Sequence, residues 1–144
     1  MPEISATLCF VDTNVWLYAF IEDQDSPKSA LASGLIRQCN IVLSTQVVNE
    51  VCVNLLKKAR FSEDRLQQLI DSFYDKFDVA DLWRSTFSSA SDLRARYSLS
   101  YWDSIIVASA LEIGAEILYT EDMHHGLQIN NQLQIVNPFS ESHA

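Results

Sequence analysis

Three short runs in this chain, Leu8-Cys-Phe-Val11, Ile41-Val-Leu43 and Ile117-Leu-Tyr119, have no polar side. Successive residues of a strand point to opposite faces, so a strand apolar at every position must be covered on both. Leu133-Gln-Ile-Val136 reads as a further strand, and Phe77-Asp-Val79 as a short one. Between these runs lie helical signals. Ser26-Pro27 offers a cap and a first-turn proline, starting a helix that reaches about Gln38. Ser44-Thr45 starts a second, to about Arg60, and Ser62-Glu-Asp starts a third, with Leu66, Leu69, Ile70 and Phe73 at helical spacing. A polar helix carries Arg94 and Arg96. Ser100-Tyr-Trp-Asp103 has the form of a capping box, opening the apolar segment Ile105 to Ile113 that Gly114 closes. Strands alternating with helices predict an α/β fold with a mainly parallel sheet and helices on both faces. Ligands of such sheets collect beyond the carboxyl ends of the strands.

The 144 residues suit a single domain spanning 1–144, with residues 1–6 and 140–144 expected to fray. No apolar stretch approaches the ~20 residues of a membrane span, and Met-Pro-Glu-Ile does not open a signal peptide, so a cytoplasmic location is expected. Cys9, Cys39 and Cys52 form no Cys-x-x-Cys pair and read as small hydrophobes in a reducing compartment. The net charge of −9 excludes binding of nucleic acid mainly by counterion release. A nucleic-acid partner must therefore be held locally, with help from a metal. All ten Lys and Arg fall between Lys28 and Arg96.

The strand-end rule singles out certain carboxylates. Asp12 directly follows the first strand, and Asp122 follows Tyr119 after Thr120-Glu121. Asp103 begins the helix that feeds the strand before Asp122, and Glu50 lies in the first two turns of the helix after the second strand. Each has an ordinary alternative: a turn residue at Asp12, half of a capping box at Asp103, a solvated helix face at Glu50, a loop at Asp122, with Glu121 beside it as a competing ligand. As a set they are more specific. At ~5 Å and an effective dielectric near 20, each carboxylate pair costs on the order of 3 kcal/mol, which calls for a cation or protons. Oxygen ligands without Cys or His suit Mg2+ or Mn2+ rather than zinc. Such an ion can activate water and stabilise a leaving oxygen, which points to phosphodiester hydrolysis. On the helix bearing Glu50, Lys57 recurs on nearly the same face, followed by Lys58 and Arg60; these are the cations best placed for a substrate backbone approaching the metal.

Phe10-Val-Asp-Thr-Asn14, Thr45-Gln-Val-Val-Asn-Glu50, Tyr101-Trp-Asp-Ser-Ile-Ile-Val-Ala-Ser-Ala110 and Tyr119-Thr-Glu-Asp-Met123 resemble, in order, the four motifs of PIN domains. The likeness is nearest to VapC-type toxins of bacterial toxin–antitoxin pairs. The resemblance implies a PIN-like three-layer sandwich, Mg2+- or Mn2+-dependent endoribonuclease activity, a homodimer and a cognate antitoxin. By motif position Asp12 and Asp103 would be the main metal ligands. Glu50 and Asp122 would complete the site, with Asn14 and Thr120 supporting it. Phosphohydrolases with an aspartyl nucleophile need a second Asp where Asn14 stands and a late Lys, and no Lys follows Lys76; a phosphoacceptor receiver domain lacks the same Lys. A housekeeping RNA-processing nuclease and a non-catalytic PIN-like binding module are the other readings.

Overall fold

The computed structural model describes residues 7–21 and 26–140, with Ser26 described by its backbone alone. The expected fraying of 1–6 and of most of the C-terminal tail, and the capping role of the Ser26 side chain, lie outside the described residues. In chain order the elements are β1 (Leu8–Val11), α1 (Thr13–Phe20), α2 (Ser26–Gln38), β2 (Asn40–Ser44), α3 (Thr45–Lys58), α4 (Glu63–Lys76), β3 (Asp78–Ala80), α5 (Arg84–Arg96), α6 (Tyr101–Glu112), β4 (Ile117–Tyr119), β5 (Gln128–Ile129) and β6 (Leu133–Val136). The sheet runs in the order β3-β2-β1-β4-β6-β5. Every pairing is parallel except that of β5 with β6. This is the α/β architecture expected, with one antiparallel edge strand added.

Cys9, Phe10 and Val11 are all buried, as are Ile41, Val42, Leu43 and Ser44. Consecutive buried residues mean that both faces of β1 and β2 are covered, which is why these strands read as unbroken apolar runs. Three helix starts use the serine caps seen in the sequence: Ser44 Oγ accepts from Val47 N, Ser62 Oγ from Arg65 N and Ser100 Oγ from Asp103 N. Helix α6 ends at Gly114, whose φ of 83° lies in the left-handed region that favours glycine. The segment Ile105 to Ala110 is core throughout. No helix among the described residues is long and apolar enough to cross a membrane.

Two elements were not expected. Helix α1 starts at once after β1, with Asp12 as its N-cap rather than as a plain turn residue. Strand β5 has two residues and pairs with β6 through Gln128–Gln134 and Ile129–Leu133. The three cysteines are free; Cys9 and Cys52 are buried, and Cys39 is half-buried.

Candidate active site

Strand order sets where a crevice can form. From β1 the sheet grows one way to β2 and β3, and the other way to β4, β6 and β5. The chains leaving β1 and β4 therefore diverge at their carboxyl ends, the switch point where parallel sheets bind ligands. Val11 pairs with Tyr119, and Asp12 N donates to Tyr119 O at 3.0 Å, so Asp12 leaves the sheet beside the segment that carries Asp122.

Helix α1 fixes Asp12 from the other side. The Trp16 indole N–H donates to Val11 O at 3.0 Å, and its ring packs edge-on against Phe73 at 5.0 Å and Phe77 at 5.4 Å. The apolar anchor of α1 thus holds the peptide just before the carboxylate. Asp12 itself is 5% exposed. Its Oδ1 accepts from Thr13 N at 2.7 Å and its Oδ2 from Thr120 Oγ1 at 2.8 Å. Burial pushes its carboxyl up to about 7, with the charges of Glu50 and Asp122 adding to the rise and the bonds from Thr120 and Thr13 opposing it. Asp103, in the first turn of α6, is raised by burial and by the charges of Asp122 and Glu50, against a lowering bond from the Ser100 side chain.

Glu50, Asp103 and Asp122 line one cavity of about 230 Å3 together with Asp12 and Asn14. Each carboxylate comes from a different part of the chain, as expected. Glu50 is not on a free solvated face: Thr13 Oγ1 donates to its Oε2 at 2.8 Å, and Gln46 Nε2 to its Oε1 at 2.9 Å. Asn14 Nδ2 donates to Asp122 Oδ2 at 2.8 Å, and Asn14 Oδ1 accepts from Glu121 N at 3.2 Å. One amide therefore ties α1 to the loop after β4. Thr120 is fully buried; besides holding Asp12, its hydroxyl accepts from Asp122 N at 3.2 Å.

Geometry separates Asp122 from Glu121. Asp122 faces the cavity, whereas Glu121 accepts from Tyr18 OH at 2.9 Å and is ion-paired with Lys28. Lys57, Lys58 and Arg60 stand exposed at the far end of α3, outside the cavity wall. Seven residues beyond Glu50 at the helical rise, Lys57 is ~10 Å along the axis. Sequence reasoning missed Thr13, Gln46, Asn54 and Trp102, which also line the cavity. A signal existed for two of them: Gln46 and Asn54 flank Glu50 at four-residue spacing, one turn before and one turn after.

The donor set is carboxylates and amides without Cys or His, the chemistry of a hard divalent cation. Among the described residues no three His, Cys, Asp or Glu side chains stand arranged to hold a metal ion among themselves.

The fold has counterparts among known proteins. Residues 9–126 match the PIN domain, so the chain belongs to the PIN-domain family. Among solved structures, a toxin–antitoxin complex from Klebsiella pneumoniae is similar with a TM-score of 0.67 and 20% identity, over 91% of this chain and 98% of that one. VapBC2 from Rickettsia felis, bound to a promoter DNA fragment, gives 0.61 and 19% over 91% and 100%. Mycobacterium tuberculosis VapC20, a sarcin–ricin loop cleaving toxin, gives 0.63 and 18% over 79% and 89%. At these identities the likeness establishes the fold. No curated protein sequence matches the chain.

Proposed function

We propose that this chain is an endoribonuclease dependent on Mg2+ or Mn2+, and the toxin of a toxin–antitoxin pair. The observation that carries the reading is the convergence of Asp12, Glu50, Asp103 and Asp122 on one cavity at the switch point of the sheet. Asp12 and Asp103, whose proton affinity is raised by burial and by the charges of Glu50 and Asp122, sit in the cavity at a cost, and a bound cation removes that cost. When bound, a divalent ion supplies Lewis acidity toward a phosphate oxygen and makes water a stronger acid. Asp12 and Asp103 would hold it, with Glu50 and Asp122 completing the acidic shell. Thr120 and Thr13 N–H fix both oxygens of Asp12, and Asn14 fixes Asp122, so the ligands are oriented before substrate arrives. Lys57, Lys58 and Arg60 would meet the RNA backbone only beyond the cavity.

The toxin role rests on the fold relatives, one of which is described as a toxin–antitoxin complex and another as a toxin. It carries with it an antitoxin partner, a homodimer and a cytoplasmic setting. Manganese calorimetry combined with RNA incubation tests the enzyme. Binding that Asp12→Asn abolishes, with cleavage that EDTA stops, is expected; a protein that binds no manganese and leaves RNA intact is a docking module instead. Induced expression tests the toxin: growth arrest relieved by co-expressing a short adjacent reading frame supports it, and unaffected growth favours a housekeeping nuclease.

A further inference from the structure

We propose that the aromatic groove beside the acidic cavity is a nucleobase subsite, in which one unpaired RNA base stacks on Trp102 and donates a hydrogen bond to Gln46 Oε1. The inference rests on the nuclease reading and names how that site takes its substrate. The groove, about 540 Å3, has Leu82, Phe87, Tyr101 and Trp102 among its walls. This volume falls within the roughly 300–1,000 Å3 of small-ligand sites. Gln46 and Trp102 line both the groove and the acidic cavity, so the two lie side by side. A third hollow, lined by Gln46, Asn49, Glu50 and Trp102, borders them both.

Two independent features point to a base. The first is an orphan acceptor. Gln46 is 9% exposed, and its Nε2 is committed to Glu50 Oε1, which fixes the amide; its Oε1 is buried with no hydrogen-bond partner. A buried carbonyl without a donor is costly, and a ligand N–H in the groove removes the cost. The second is the platform. Trp102 is 65% exposed, and Phe87 and Tyr101 are also exposed, although each carries a large apolar face. Trp102 meets Tyr101 edge-on at 5.3 Å, and the Arg94 guanidinium lies over the Tyr101 ring, 4.6 Å from its centroid. Flat faces beside an amide edge are what an unstacked base needs, one surface for its ring and one for its donor groups. Among the described residues, no Lys, Arg, Asp or Glu lines the groove. It therefore suits the neutral part of a nucleotide, whose phosphate lies one sugar away toward the acidic cavity.

Binding of a short single-stranded oligoribonucleotide tests the subsite, measured with calcium in an Asp12→Asn background so that nothing is turned over. Trp102→Ala, an exposed position whose loss leaves the core untouched, should weaken binding by roughly five- to a hundredfold. Phe87→Ala serves as a second, independent variant on the same groove. Replacing adenosine by purine riboside, which keeps the ring and loses the amino donor, should weaken binding roughly fivefold at one position of the oligonucleotide. That penalty should vanish in Gln46→Ala. Equal affinity for both oligonucleotides and for both aromatic variants overturns the subsite while RNA cleavage by the wild type keeps the nuclease reading. A change of sedimentation in Trp102→Ala with unchanged RNA affinity also overturns it and makes the groove a contact between copies of the chain. If the background protein binds no RNA and the wild type cuts none, the nuclease reading itself has failed, and the subsite with it.

Discussion

Asp12 is a carboxylate held by two donors in a place that water barely reaches. Its proton leaves near 3.8 in an open chain and near 7 here. Between those values the folded protein binds a proton that the unfolded chain has released, so the contribution of Asp12 to stability is full below about pH 4 and lost as pH rises through about 7. The metal-free protein should therefore lose on the order of a few kcal/mol across that window. Asp12→Asn should flatten the loss, as urea unfolding in EDTA at a series of pH values would show. A metal competes with the same proton, so manganese affinity should rise over this interval. Loss of the Thr120 hydroxyl in Thr120→Val would take a donor from Asp12 Oδ2; manganese affinity should fall by roughly 10- to 100-fold by calorimetry. The four acids were legible because the strand-end rule needs only the position of each strand in the sequence. Thr13 and Gln46 were not, because their bonds to Glu50 depend on how α1 and α3 are turned toward each other. The choice between Glu121 and Asp122 was equally closed to the sequence, since Lys28 and Tyr18, which hold Glu121, come from two other helices.

Helix α1 shows where periodicity stops informing. Val15-Trp-Leu-Tyr-Ala-Phe20 continues the apolar character of β1 and has no polar face to mark a helix. Its identity comes from tertiary contacts, with Trp16 filling space against Phe20, Phe73 and Phe77. Trp16→Ala should cost about 3–5 kcal/mol of stability, from lost packing and an unpaired Val11 carbonyl, by denaturant unfolding. Strand β5 escaped for another reason: two residues carry no alternation to read, and pairing with β6 alone defines them. Helices α2, α3, α4 and α6 were legible because a serine start signal or helical spacing acts locally, whereas α5, whose N-cap is Trp83, showed in the sequence only as a polar helix without a marked start. Helix α6 is apolar all round because it is buried all round, from Ser104 to Ala110. Ile106→Asp places an unpaired charge in that core and should leave insoluble or unfolded protein; a soluble variant with native circular dichroism would contradict its burial.

At the scale of the whole molecule, the proposed function asks an acidic protein to hold a polyanion. The net charge of −9 repels RNA at long range, and the acidic cavity repels it further. A divalent ion reverses the local sign, so metal and RNA binding should be coupled. The exposed cations Lys57, Lys58 and Arg60 offer a second route. If they meet phosphate, Lys57→Ala with Lys58→Ala should flatten the salt dependence of RNA affinity by roughly one unit per lost contact in filter binding. An unchanged slope leaves the metal as the main anchor. Manganese at a hundred times its dissociation constant should stabilise the fold by about 2.7 kcal/mol, readable as a rise in melting temperature that EDTA removes. The central claim, that the acids around this cavity act on RNA through a divalent ion, is tested most directly by the cleavage rate of Asp103→Asn against wild type in manganese. Asp103 is half-buried and its swap to Asn keeps volume while removing charge. The variant should fold as the wild type does and cleave at least about a hundredfold more slowly. Cleavage at the wild-type rate by the folded variant would contradict the account.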